Sequence, residues 1–242
     1  MNPLLAIVFL VAPILITGIV AFNISIDQKR LRLILAFSAA YLFAIAIMHM
    51  LPEAFENSNP KFVGLFIVLG FVLQLLIDTF STGIEHGHVH LHSHTCTKHL
   101  PYGIIIGLLL HSFLEGLPIY DPNSPENSYV NYQLVLGLAI HNLPITIAFV
   151  SLLKEHQGTG KNWLLLGLFS IMTPIGFISS YVLQSFGLQN YELYSQAAFA
   201  LVIGIFLHIS TAILFETSDQ HRYNIKKVIV MACGIILAYF IS

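Results

Sequence analysis

The sequence predicts an all-α membrane protein of eight transmembrane helices with both termini outside, and three observations predict it. The chain of 242 residues is 56% hydrophobic and only 9% charged, with a mean hydropathy of +0.80. A soluble domain carries roughly a quarter charged residues, so polar surface is too scarce here to coat a water-soluble globule. Apolar runs of the roughly 17 to 25 residues that cross a hydrocarbon layer recur from end to end. Finally, the basic residues fall almost entirely in alternate connections between those runs.

The runs lie near 4–22, 32–51, 62–81, 101–119, 132–153, 163–186, 194–215 and 225–241. No basic stretch precedes the first, and no convincing small-residue cleavage site comes before the basic cluster at 29–32, so it is expected to be a retained helix rather than a removed signal. The second closes on His49-Met50-Leu51-Pro52-Glu53. Pro52 is expected to end that helix, leaving His49 and Glu53 as an outer entrance site or a polar helix terminus. Gln74 and Asp78 near the inner end of the third run read equally as interfacial caps or ion contacts. On the seventh run, His208 has no visible partner and is expected to be a packed histidine. Cys233 on the eighth reads as helix packing, and Cys96, in a polar loop, is too differently placed to pair with it. Connections are short, so residues 1–242 are expected to form one transmembrane domain.

Lysine and arginine are retained on the cytoplasmic side of membrane proteins. With the N-terminus outside, Lys29, Arg30, Arg32, Lys98, Lys154, Lys161, Arg222, Lys226 and Lys227 all fall inside, and only Lys61 falls outside. The outer loops carry Glu53, Glu56, Asp121, Glu126 and Glu192, which are solvated loop residues or an acidic entrance that concentrates cations. A net charge of −2 leaves no basic face for a nucleic-acid partner. The partners expected are the lipid bilayer and divalent metal ions, with a homodimer left open as the assembly.

Ionisable groups inside the membrane are costly and point to function. The fourth run holds His111 and Glu115, an i, i+4 pair on one helical face, and the fifth holds His141 and Asn142 followed by Pro144. The two segments resemble each other: Gly107-Leu108-Leu109-Leu110-His111 matches Gly137-Leu138-Ala139-Ile140-His141. A glycine one turn before each histidine is expected to let the helices approach closely. Pro144 removes one backbone hydrogen bond and can free a carbonyl toward a cavity. The expectation is a mid-membrane pocket lined by two imidazoles and one carboxylate. Such donors suit Zn2+, and also Fe2+, Mn2+, Co2+ or Ni2+, better than Ca2+ or Mg2+. The bland reading of the same residues is a His–Glu pair that only holds helices together.

The stretch from Glu85 to His99 reads EHGHVHLHSHTCTKH. His86, His88, His90, His92, His94 and His99 form a loop tract of the kind that binds transition metals with loose geometry, and Cys96 among them is a further candidate ligand. The topology places the tract, at about 82–100, on the cytoplasmic side, where it would receive or sense an ion.

At these residues the chain resembles the ZIP (ZRT/IRT-like) family of divalent metal transporters. The fourth-span segment HSFLEG is similar to the family's HNxPEG pattern, and HNLPI on the fifth to its H/Q-N/D/E-I-P-E/H pattern. HMLPEA on the second span, the His-rich connection and TPIG on the sixth, where the family often has EPxG, extend the likeness over essentially the whole chain. The resemblance implies alternating access, with the fourth and fifth helices moving against a scaffold, and a primary metal site of His111, Glu115 and His141, with Asn142 a weaker neighbour. The family's adjacent second site maps onto Ser112, Asn142 and Thr173, with Ile145 at the bridging position. Those residues supply no charge, so the second site is expected to be absent. Leu114 also stands where the family has proline.

The leading reading is therefore a carrier that moves zinc or a related ion into the cytoplasm, as a multi-pass protein of the cell membrane (the inner membrane in a Gram-negative cell). No organic cofactor and no catalytic residue is expected. Two alternatives stay open: an intramembrane zinc hydrolase, since catalytic zinc commonly has three protein ligands and one open position, and a transport-dead family member that senses metal.

Overall fold

A computed structural model of the chain describes residues 2–24, 27–56, 58–81, 102–120, 130–156, 159–187, 191–215 and 225–241. Among the described residues the regular elements are helices, apart from one isolated antiparallel bridge between Tyr120 and Val130. Helix α1 spans Pro3–Asn23. It starts on Asn2, whose side chain accepts a hydrogen bond from the Leu4 N–H at 2.9 Å, and proline fits the first turn because its missing N–H would be unused there.

Helix α2 (Gln28–Ile45) runs without a break through a π-helical turn (Ala46–Met50) into α3 (Leu51–Phe55). Pro52 therefore does not end the helix, contrary to expectation. Proline lacks an N–H and crowds the carbonyl four residues earlier. The wider π turn just before it, in which the Leu51 N–H reaches Ala46 O, makes room for the ring. The helix closes beyond Phe55, where the Glu56 N–H reaches the carbonyls of Pro52 and Glu53.

The remaining helices are α4 (Pro60–Ser81), α5 (Tyr102–Gly116, followed by a 3-10 turn Leu117–Ile119), α6 (Tyr132–His156), α7 (Thr159–Ser185), α8 (Tyr191–Phe215) and α9 (Ile225–Ile241). Among the described residues seven helical segments are long and apolar enough to cross a membrane, α2 and α3 counting as one. The eighth predicted run is α9, a helix over the expected residues but only 17 long.

The apolar surface is turned outward. Leu4, Leu164 and Phe240 are 72, 73 and 80% exposed, whereas His111, Glu115, Asn142 and Gln74 are fully buried. Large apolar patches of this kind are a liability in water and suit a lipid surround. Cys233 is exposed and not packed in the core, contrary to the sequence reading.

The helices pack in two sets. In one, α1 lies along α6 and α7, and α5 along α7; in the other, α8 lies along α4 and α2, and α9 along α2. The sets meet where α2 touches α6 and α4 touches α5. Glycines bring backbones together at several crossings, among them Gly234 of α9 against the Phe37 carbonyl of α2 and two crossings built on glycine pairs. A Cβ placed on Gly116 would run into the carbonyl oxygen of Thr173, and one on Gly176 into that of Phe113, so α5 and α7 cross on a glycine pair. Gly70 and Gly204 do the same for α4 and α8, against the carbonyls of Leu201 and Ile67. Gly137 was expected to serve close approach, but a Cβ there would meet only the Tyr41 ring, at an ordinary 3.4 Å. Gly137 is therefore not one of the glycines on which backbones cross.

Candidate metal centre

Glu115 follows His111 by four residues on α5, so helical geometry alone stacks the two side chains. His111 Nε2 stands 2.8 Å from Glu115 Oε1. His141 arrives from α6, its Nε2 3.5 Å from the same carboxylate oxygen. The ligand-capable atoms of all three lie within 4.8 Å of one another, the one such grouping of three or more among the described residues. The imidazole centroids are 6.0 Å apart, with the rings at 75°. The three side chains are almost wholly shielded from solvent, and both Glu115 oxygens and His141 Nε2 lack a hydrogen-bond partner of acceptable geometry. Both imidazoles thus converge on one carboxylate oxygen. Burying a carboxylate in that way is expensive unless a cation or strong donor compensates, and an imidazole–carboxylate donor set fits a divalent transition metal.

The other predicted residues fall in different places. Asn142, next to His141 on α6, is buried with neither amide atom hydrogen-bonded. Ser112 Oγ and Thr173 Oγ1 are likewise buried without a hydrogen-bond partner, and Ile145 is buried and apolar. His49 and Glu53 do approach each other, Nε2 to Oε2 at 3.7 Å, half-exposed at the π turn and α3. That pair contributes to no group of three ligands among the described residues. His86, His88, His90, His92, His94 and His99 lie outside the described residues.

Side chains behind the cluster were harder to foresee. Gln74 is fully buried, not an interfacial cap: its Oε1 lies 3.2 Å from His111 Nδ1, and its Nε2 donates to Asp78 Oδ1 at 2.8 Å. His208 is not partnerless, since its Nδ1 stands 3.3 Å from Asp78 Oδ2 and its ring meets Phe71 edge-on at 4.7 Å. Ser38 on α2, which carries no sequence signal beyond being polar in an apolar span, places Oγ 3.2 Å from His141 Nδ1. The only hint for Gln74 and Asp78 was their i, i+4 spacing inside an apolar run.

Comparison with known proteins identifies the family. The family model described as ZIP Zinc transporter matches residues 3–103 and 97–242. Protein zntD of Dictyostelium discoideum is 25% identical over 153 residues, which is 59% of this chain and 22% of zntD. The match thus spans less than a quarter of that relative's length. With the family model covering both halves of the sequence, the chain belongs to the ZIP zinc transporter family.

Proposed function

We infer that this protein carries a divalent transition metal ion, zinc foremost, through the membrane into the cytoplasm, with His111, Glu115 and His141 as its mid-membrane ligands. The observation that carries this reading is the convergence of two imidazoles and one carboxylate, all buried, within 4.8 Å. Three protein ligands leave one position of a tetrahedron for water or Asn142. One carboxylate only partly neutralises a dication, which favours release over tight holding and suits a carrier. Membership of a family described as zinc transporters favours transport over the hydrolase and sensor readings.

The packing supports alternating access. All three ligands ride on α5 and α6, which belong to the set with α1 and α7, and that set meets α2 and α4 along a seam. Sliding or rocking one set against the other would present the ion to each side in turn. The proposed orientation has eight crossings, with α9 as the last, both termini outside and the His-rich tract inside. Lysine placement is consistent with it: Lys154 Nζ donates to Ala21 O at 2.7 Å, and Lys227 Nζ to Ile213 O at 3.3 Å. Both cap helix ends on the side that the basic residues mark as cytoplasmic.

The deciding experiment is zinc uptake into sealed liposomes by the purified full chain. Uptake by the unaltered protein and its loss in His111→Ala are expected. Equal uptake by both would overturn the assignment.

A further inference from the structure

An imidazole serves as a metal ligand only if the nitrogen facing the ion carries a lone pair. In the neutral ring, the hydrogen bond made by the far nitrogen decides which one that is. For His111 the nitrogen beside Glu115 is Nε2, and the far one is Nδ1, 3.2 Å from Gln74 Oε1. An amide oxygen only accepts, so this contact is a hydrogen bond only if Nδ1 carries the proton. A turned-over amide would offer its NH2 group to Nδ1 and select the opposite tautomer. Asp78 prevents that. Its Oδ1 takes the hydrogen bond from Gln74 Nε2 at 2.8 Å, which engages the NH2 end of the amide on the Asp78 side. The amide nitrogen is therefore committed to Asp78 and the oxygen to His111. On its other side Asp78 is steadied by His208, Nδ1 to Oδ2 at 3.3 Å.

We propose that Gln74, its amide held in place by Asp78, is a positioning residue for the metal site: its Oε1 accepts the hydrogen bond from His111 Nδ1–H, which keeps the proton on Nδ1 and presents Nε2 to the ion. The proposal rests on the reading of His111, Glu115 and His141 as a metal site. Gln74 is fully buried, so its amide has no solvent to turn toward. It also lies on α4, whereas His111 lies on α5 in the other packing set. Ligand and orienting partner thus sit on opposite sides of the seam, and a shift of α5 along α4 would part them. The orientation of His111, and with it the hold on the ion, is tied to the arrangement of the two sets. His141 is under no such control, because the Ser38 hydroxyl at its Nδ1 can donate or accept the hydrogen bond.

The test uses the full chain with Zn2+ as the probe. Core-site binding is read as the difference between each protein and the same protein carrying His111→Ala, so that binding to the His-rich tract cancels. Gln74→Leu keeps the bulk and removes the acceptor. It should weaken core-site affinity about 10- to 100-fold, the usual effect of losing a ligand's orienting partner. NMR of histidine nitrogens in the metal-free protein should show Nδ1 of His111 protonated in the unaltered chain and no longer so in Gln74→Leu. The double variant Gln74→Glu with Asp78→Asn exchanges amide and carboxylate but keeps an acceptor at Nδ1, and should restore the affinity. Unchanged Zn2+ affinity in Gln74→Leu, or an unprotonated Nδ1 in the unaltered protein, would overturn the proposal. If the unaltered chain binds no Zn2+ that His111→Ala removes, the metal reading itself fails, and the NMR measurement still decides whether Gln74 sets the tautomer.

Discussion

Ser38 Oγ lies 3.2 Å from His141 Nδ1, although 103 positions separate the two residues in sequence. Both side chains are buried, and the contact joins α2 to α6. Because the hydroxyl acts equally as donor or acceptor, it steadies the ring without choosing its tautomer. Loss of one neutral hydrogen bond is worth about 0.5–1.5 kcal/mol, so Ser38→Ala should weaken core-site zinc binding roughly 2- to 12-fold. A zinc titration checks this, and a loss as complete as that of His141→Ala would refute the assigned role.

The three ligands should stand or fall together. His111→Ala, Glu115→Ala and His141→Ala are each expected to abolish core binding and liposome uptake, while Thr173→Ala should change uptake little. A second dication a few ångströms away would need anionic bridges to offset its repulsion from the first, and Ser112, Asn142, Thr173 and Ile145 supply none. Anomalous diffraction from metal-soaked crystals should therefore show one core ion. Two fully occupied neighbouring peaks would sink the single-ion reading.

The glycine crossing of α5 and α7 should be intolerant of even a methyl group. A Cβ on Gly116 meets the backbone oxygen of Thr173, which cannot move aside as a flexible side chain can. Gly116→Ala is expected to destabilise the protein by about 1–3 kcal/mol through overpacking. Gly64, where an added Cβ meets nothing within 4 Å, provides the control, and thermal unfolding in detergent distinguishes the two. Equal midpoints for Gly116→Ala and Gly64→Ala would show that the crossing is looser than described.

Reporter fusions should place a fusion near His94 and one between Lys154 and Lys161 in the cytoplasm, because nine of the ten basic residues fall on that side in the proposed topology. Activity of an externally active reporter fused near His94 would reverse the orientation.

Removal of Glu85 through Lys98 should leave the rate of zinc uptake largely intact and alter its dependence on metal concentration. A tract of closely repeated histidines with loose geometry buffers ions and does not form a defined pathway site. Complete loss of uptake by a stably inserted deletion protein would put the tract in the pathway.

Much of this molecule was legible in one dimension. The apolar runs predicted the helices to within a few residues, because lipid leaves a backbone little choice but to satisfy its hydrogen bonds internally. The pairing of His111 with Glu115 was equally local, since a four-residue step on a helix returns to the same face whatever surrounds it. Pro52 misled for a related reason: proline's local preference is to stop a helix, and here a π turn absorbed its ring.

What the sequence by itself determined was thus everything that depends on a single segment: the helices, the His111–Glu115 pair, and the donor chemistry that suits a transition metal. Only the tertiary structure decided that His141 closes on the same carboxylate oxygen, that Gln74 and Ser38 back the two imidazoles, and that His208 has a partner in Asp78. Contacts between helices depend on their relative rotation and offset. Those are set here by backbone crossings such as Gly116 on Gly176 and Gly70 on Gly204, which join residues far apart in the chain and leave no periodic trace along it.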